Sequence, residues 1–154
     1  MFRGRDRAYR RPRAQLGAAP DALRQEASFG EVVQLLGYDL VSAKDSLTLT
    51  LWWRAAKMPA QDYKRFVHLY EVESGAVLAQ DDAMPRDWTY PTSRWIAGEV
   101  VSETITLAAE GLPPGVYRLG VGWYAPETGV RLPARDEDGQ AVPDDRVTLS
   151  EPPF

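Results

Sequence analysis

Over residues 29–149 the apolar side chains recur mostly at every second position, the spacing of strands that bury one face. Residues 46–56 show it most clearly: Leu47, Leu49, Leu51 and Trp53 alternate with Thr48, Thr50, Trp52 and Arg54. Residues 30–40 are mixed, with Val32, Leu36, Tyr38 and Leu40 on one parity and Val33 and Leu35 on the other. Residues 63–72 are apolar or aromatic on both parities (Phe66, His68, Tyr70; Val67, Leu69), which predicts a central strand covered on both faces. Glu73-Ser74-Gly75 then predicts a hairpin into 76–81. Alternation resumes over 99–108 with Val101, Ile105 and Leu107. It returns over 116–125, where Tyr117, Leu119, Val121 and Trp123 oppose Arg118, Gly120, Gly122 and Tyr124. Two glycines on one strand face predict a bulky side chain or another backbone lying close above them. Short strands follow at 130–133 and 146–149, with Asp138-Gly139 as a type I′ turn signature between them.

About eight short strands with no helix among them predict an all-β fold, an antiparallel two-sheet β-sandwich of immunoglobulin-like or jelly-roll-like form. A closed barrel is the alternative. The long connection over 82–98 favours the sandwich, because such a segment can cross from one sheet to the other. Residues 1–28 differ in kind and are read as a basic arm and linker ahead of a β-sandwich domain over 29–154. In the linker, Asp21 is placed to cap a short helix over 22–27, just after Pro20.

Charge divides along the same boundary. Residues 1–13 hold six arginines (Arg3, Arg5, Arg7, Arg10, Arg11, Arg13) against the single acid Asp6, a net +5. The total is −4, so the remainder carries −9. An arm of this kind suits a solvated linker or an anionic membrane surface. Nucleic acid is disfavoured as a partner because the acidic body repels phosphate backbones.

Composition removes several chemistries. The 154 residues contain no cysteine and one histidine, His68, which excludes disulfides, thiol nucleophiles and multi-histidine metal sites. A serine triad would need His68 as its base, and its place in an apolar strand reads first as structural. No spacing marks a carboxylate pair for glycoside hydrolysis. Asp136-Glu137-Asp138-Gly139 has part of a calcium loop's chemistry without its alternating acids and bidentate glutamate. It reads as a turn, with Asp136 and Asp138 as weak metal candidates. No cofactor is expected.

Aromatic residues are the most suggestive group. Trp53, Trp123, Tyr117 and Tyr70 alternate with core positions, whereas Trp88, Tyr90 and Trp95 lie in the long connection. Rings on a loop can stack on the apolar face of a sugar. They can equally fold back to plug the open end of a sandwich. The binding reading takes Trp88, Tyr90 and Trp95 as a platform, with Asp81 and Arg94 as polar partners.

Four blocks in order carry a family resemblance. The first is Phe29-Gly30, Leu35-Leu36-Gly37-Tyr38-Asp39-Leu40 and Leu49-Thr50-Leu51-Trp52-Trp53-Arg54-Ala55. The second is Asp62-Tyr63, Phe66-Val67-His68-Leu69 and Ala79-Gln80-Asp81. The third is Tyr90-Pro91-Thr92-Ser93-Arg94-Trp95 with Gly98-Glu99-Val100. The fourth is Leu112-Pro113-Pro114-Gly115-Val116-Tyr117-Arg118-Leu119, Val121-Gly122, Tyr124, Thr128-Gly129 and Arg131-Leu132-Pro133. The series resembles the soluble C-terminal β-sandwich domain of bacterial multi-span membrane glycosyltransferases, the enzymes related to protein mannosyltransferases and aminoarabinose transferases. The resemblance implies a non-catalytic accessory module that binds glycan or protein, with catalysis in a membrane-embedded portion outside this chain. It also implies an extracytoplasmic, membrane-associated setting for a larger protein, with this chain itself soluble. A purely structural or assembly domain is the second reading, and a stand-alone hydrolase the third.

Overall fold

The computed structural model describes residues 22–154. The arginine arm and Asp21 lie outside the described residues. Nine strands run β1 (Leu23–Phe29), β2 (Val33–Ser42), β3 (Ser46–Ala55), β4 (Lys64–Glu71), β5 (Val77–Ala83), β6 (Val100–Ala108), β7 (Tyr117–Tyr124), β8 (Ala134–Asp136) and β9 (Val147–Thr148). They form two antiparallel sheets, ordered β6-β3-β2-β1-β8 and β5-β4-β7-β9. The fold is the all-β sandwich that the period of two predicts. Among the described residues no helix is long and apolar enough to cross a membrane.

The short helix expected over 22–27 is a strand instead. Leu23–Phe29 is β1, paired with β2 on one side and β8 on the other, and Ala27 and Phe29 are buried. Six residues have weak helical preference of their own, and two flanking ladders outweigh it. The sandwich therefore begins at about residue 23 rather than at 29.

The mixed parity of residues 30–40 has a local cause. Leu35 pairs with Trp53 and Gly37 with Trp52, so Leu36 is an extra residue in β2. This bulge moves the inward face from odd to even positions: Val33 and Leu35 point in before it, Tyr38 after it, all three fully buried. β4 lies between β5 and β7, as its two-sided apolar pattern requires.

Four aromatic rings form a column between the sheets. Phe29 meets Trp53 edge-on at 5.8 Å between centroids, Trp53 meets Trp123 at 5.0 Å, and Trp123 meets Trp95 at 5.8 Å. Edge-to-face contacts of this kind add about 0.5–1.5 kcal/mol each beyond the area they bury. The segment after β5 carries Trp95 into this column and crosses from the four-stranded to the five-stranded sheet.

The paired glycines of β7 behave as their spacing predicts. A Cβ on Gly120 would meet the Arg146 stem at 2.7 Å, and one on Gly122 would press into the Phe66 ring and reach Asp145 O at 2.9 Å. The turn at 136–139 differs from expectation. Gly139 alone has positive φ (80°), so it is not a type I′ turn, and β8 starts at Ala134, after Pro133.

The C-terminal segment is clasped beside the first strand. Tyr38 Oη takes the amide of Glu151 at 2.7 Å and meets Ser150 Oγ at 3.2 Å, and Ser150 N donates to Gln25 Oε1 at 2.8 Å. Ser42 Oγ donates to Pro153 O.

Gly122→Ala is expected to lower stability by about 1–3 kcal/mol, since neither a buried ring nor a backbone carbonyl can move aside cheaply. Gly120→Ala should cost less, because the Arg146 stem is flexible. Urea unfolding of the two variants checks the order, and equal midpoints would contradict it.

Candidate functional site

The inward parities of two facing strands each carry a charge. On β6 the inward series is Val101, Glu103, Ile105 and Leu107; on β4 it is Arg65, Val67 and Leu69. Arg65 and Glu103 are only 2% and 4% exposed. Arg65 Nε donates to Glu103 Oε1 at 3.1 Å, and Arg65 Nη1 donates to Asp81 Oδ1 at 2.6 Å and to Asp81 O at 3.0 Å. Glu103 also accepts the Trp53 indole N–H at 2.8 Å and the Arg86 amide at 3.0 Å. Buried charges persist only when paired and hydrogen-bonded, and here both carboxylate oxygens of Glu103 are used.

This pair forms the base of a cleft of about 520 Å³ between β5 and β6, the adjacent edges of the two sheets. Asp81, Arg86, Asp87, Ser102 and Thr104 line it as well. At its rim the backbone is strained. Arg86, Asp87 and Trp88 all have positive φ (54°, 54° and 72°), a left-handed turn built without glycine. Each such residue costs roughly 1–2 kcal/mol. The turn is held by Trp88 N to Met84 O (2.9 Å), Tyr90 N to Pro85 O (3.1 Å) and Arg86 Nε to Ser102 O (2.9 Å), besides the Arg86 amide on Glu103. Non-glycine strain over-determined in this way is a mark of functional sites.

The five residues singled out from the sequence separate. Trp88 is 51% exposed, with the Lys64 ammonium 4.7 Å from its ring centroid. Asp81 is half-buried on Arg65. Trp95 is 1% exposed and belongs to the core column, so it cannot offer a face to a ligand. Tyr90 is partly buried, stacked near Trp95, and donates its hydroxyl to Glu99 at 2.7 Å. Burial and Glu99 push its phenol up to about 12. Arg94 is exposed in the short 3-10 turn Thr92–Arg94. The three loop rings therefore do not share one open surface: Trp95 and Tyr90 plug the end of the sandwich, and Trp88 stays outside. Thr92 fixes this arrangement, fully buried, with Oγ1 donating to Gln61 O (2.9 Å) and accepting Tyr63 N (3.0 Å).

Sequence reasoning missed Arg65, Glu103, Thr92 and Arg86. A signal existed for the first two: opposite charges on the apolar parity of strands that face each other.

His68, on the outer face of β4, is 8% exposed. Its Nδ1 lies 3.2 Å from Arg146 Nη1 and must accept, so Nε2 carries the proton of the neutral ring. Burial chiefly, then the Arg146 charge, lowers its pKa from 6.5. Asp136 spends Oδ1 on the amides of Asp138 (3.0 Å) and Gln140 (2.9 Å), which makes it a turn residue. Among the described residues no group of three or more His, Asp or Glu could hold a metal.

In comparisons with known proteins, no family model and no curated protein matches the chain.

Two outcomes are expected here. Glu103→Gln removes the charge facing Arg65 and should cost about 3 kcal/mol, whereas adding Arg65→Met should recover much of it. Urea midpoints of the single and double variants measure this. Separately, the unfolded chain binds a proton on His68 below pH 6.5 while the folded chain resists it. Stability should therefore fall as pH drops from 6.5 to the lower folded-state pKa. Unfolding of wild type and His68→Gln across that window checks the sign, since the variant should lack this component.

Proposed function

We propose that this chain is a non-catalytic β-sandwich module that binds glycan in the cleft between β5 and β6, as an accessory domain of a membrane glycosyltransferase-like protein. The observation that carries the reading is the pairing of a polar, ion-paired cleft with an exposed tryptophan on a strained rim. Asp81 and the hydroxyls of Ser102 and Thr104 offer the acceptors and donors that sugar hydroxyls need, while the exposed Trp88, next in the chain to the lining residue Asp87, carries the Lys64 ammonium over one ring face and leaves the other for stacking. Arg65 is clamped by two carboxylates, so Asp81 is preorganised rather than free to rotate. Left-handed backbone at Trp88 fixes the ring's direction at a cost that core packing alone would not require. The glycosyltransferase setting rests on the sequence blocks given above, the second of which ends on Asp81, a residue that lines this cleft.

A purely structural role is the competing reading. It is supported by the burial of Trp95 and Tyr90, which spends two of the three loop rings on packing.

Amide chemical shifts during titration with a panel of neutral mono- and oligosaccharides separate the two. The binding reading expects shifts confined to residues 86–88 and 102–106. Trp88→Ala should then weaken binding about tenfold with an unchanged urea midpoint, because its ring is outside the core. A panel that moves no amide in the folded chain favours the structural role.

A further inference from the structure

The outer face of β5-β4-β7-β9 carries a second constellation, away from the cleft and independent of the glycan reading. Along β4 the outward side chains are Phe66, His68 and Tyr70. Arg131 lies over Phe66, its guanidinium carbon 4.4 Å from the ring centroid, and Arg146 lies over Tyr70 at 3.8 Å. Arg118 stands beside Tyr70 across the β4–β7 pair. All three arginines are half-buried, yet among the described residues none has a carboxylate within ion-pair distance. Among the described residues their polar partners are neutral: Asp144 O for Arg131, His68 Nδ1 for Arg146, Ser150 O for Arg118. In a body of net charge −9 these three arginines make no ion pair among the described residues, although half-buried guanidiniums ordinarily take one.

Two acids lie nearby, and neither pairs with these arginines. Asp145 turns Oδ1 to the Ala134 amide at 3.0 Å; Asp82 Oδ2 accepts the Tyr124 hydroxyl at 3.1 Å, and its Oδ1 is buried without a hydrogen-bond partner among the described residues. A cavity of about 180 Å³ opens here, lined by Phe66, His68, Asp82, Tyr124 and Arg131. Gly120 and Gly122 leave the floor bare, so that Arg146 and Phe66 can lie flat on it. Arginines held over rings are restrained in direction, and with Nη1 of Arg131 and of Arg146 bonded inside the protein their remaining N–H groups are what an oxyanion would meet.

We infer that the outer face of the four-stranded sheet is a phosphate-binding site, with Arg131 and Arg146 gripping the group beside His68 and Arg118 adding a third positive charge. Two forks from separate segments suit a tetrahedral dianion, which offers oxygens to both; one fork alone saturates a planar carboxylate. Arg146 Nη1 already holds His68 Nδ1, so the imidazole presents only its Nε2–H as a further donor.

The chain's sole histidine makes the test direct. Inorganic phosphate is titrated into the full chain at constant ionic strength while the His68 ring resonances are followed by NMR. The site predicts a saturable shift, weakened about tenfold or more by Arg131→Gln and by Arg146→Lys, each of which keeps an apolar stem in place of the arginine's own. Arg135→Ala, an exposed arginine on β8, should leave it unchanged. The inference fails if chloride reproduces the shift, if both variants titrate like wild type while folded, or if no shift occurs. Phosphatidylcholine vesicles with and without phosphatidic acid then distinguish the sources of the group. Cosedimentation abolished by the same substitutions assigns a lipid headgroup, and a phosphate shift without cosedimentation assigns a soluble phosphate; both uphold the site.

Discussion

The Trp53 indole sets the terms for the rest of the molecule. Its ring is wedged between Phe29 and Trp123 in the middle of the aromatic column, while its N–H must find an acceptor in a place without water. Glu103 supplies it, and a carboxylate buried to that depth in turn demands a cation. Arg65 on the opposite sheet answers, and Asp81 completes it. A packing requirement thus becomes an ionic one within two contacts, and it ties β3, β4, β5 and β6 together at the side where the sandwich is open. Trp123 shows the alternative. Among the described residues its Nε1 has no hydrogen-bond partner, and its ring packs edge-on against Trp53 and Trp95. An unmade bond of that kind costs about 1–3 kcal/mol, which the surrounding burial must offset.

The segment between β5 and β6 does two jobs with neighbouring residues. Its second half closes the core: Trp95 completes the column, Tyr90 seals it through Glu99, and Thr92 ties it to Gln61 and Tyr63. Its first half does the opposite, holding Trp88 away from the core in a backbone conformation that ordinary side chains avoid. Glu103 joins the halves, since the carboxylate that satisfies Trp53 also fixes the Arg86 amide at the start of the strained turn. Rim and interior are therefore coupled through one side chain.

Much of this architecture was legible in the residues. The strict alternation of β3, the two-sided pattern of β4, the Gly75 hairpin and the crossing connection followed from periodicity and turn chemistry. The glycines of β7 announced the side chains above them. Two features were hidden for physical reasons. β1 has a short, weakly patterned sequence, and its state is decided by neighbours contributed from residues 33–42 and 134–136, which no local window contains. The Leu36 bulge scrambles parity, so β2 looked ambiguous where it is merely offset by one. Residue type alone picks out Asp81 in the cleft and the exposed Trp88 beside it in the chain. Trp95 was grouped with them because loop membership says nothing about which way a ring turns. Arg65 and Glu103 escaped because each interrupts an apolar series singly, and only the pairing of β4 opposite β6 gives them meaning.

The clasp at Tyr38 has a bearing on how such a unit can be wired. Leu23 pairs with Tyr38, and Ser150 and Glu151 bond to the same tyrosine's hydroxyl and to Gln25, so the polypeptide arrives and departs at neighbouring points on one rim. Joining those two points takes a short bridge and no rearrangement of either sheet, which makes the sandwich topologically suited to circular permutation, with new ends at the exposed 73–75 bend.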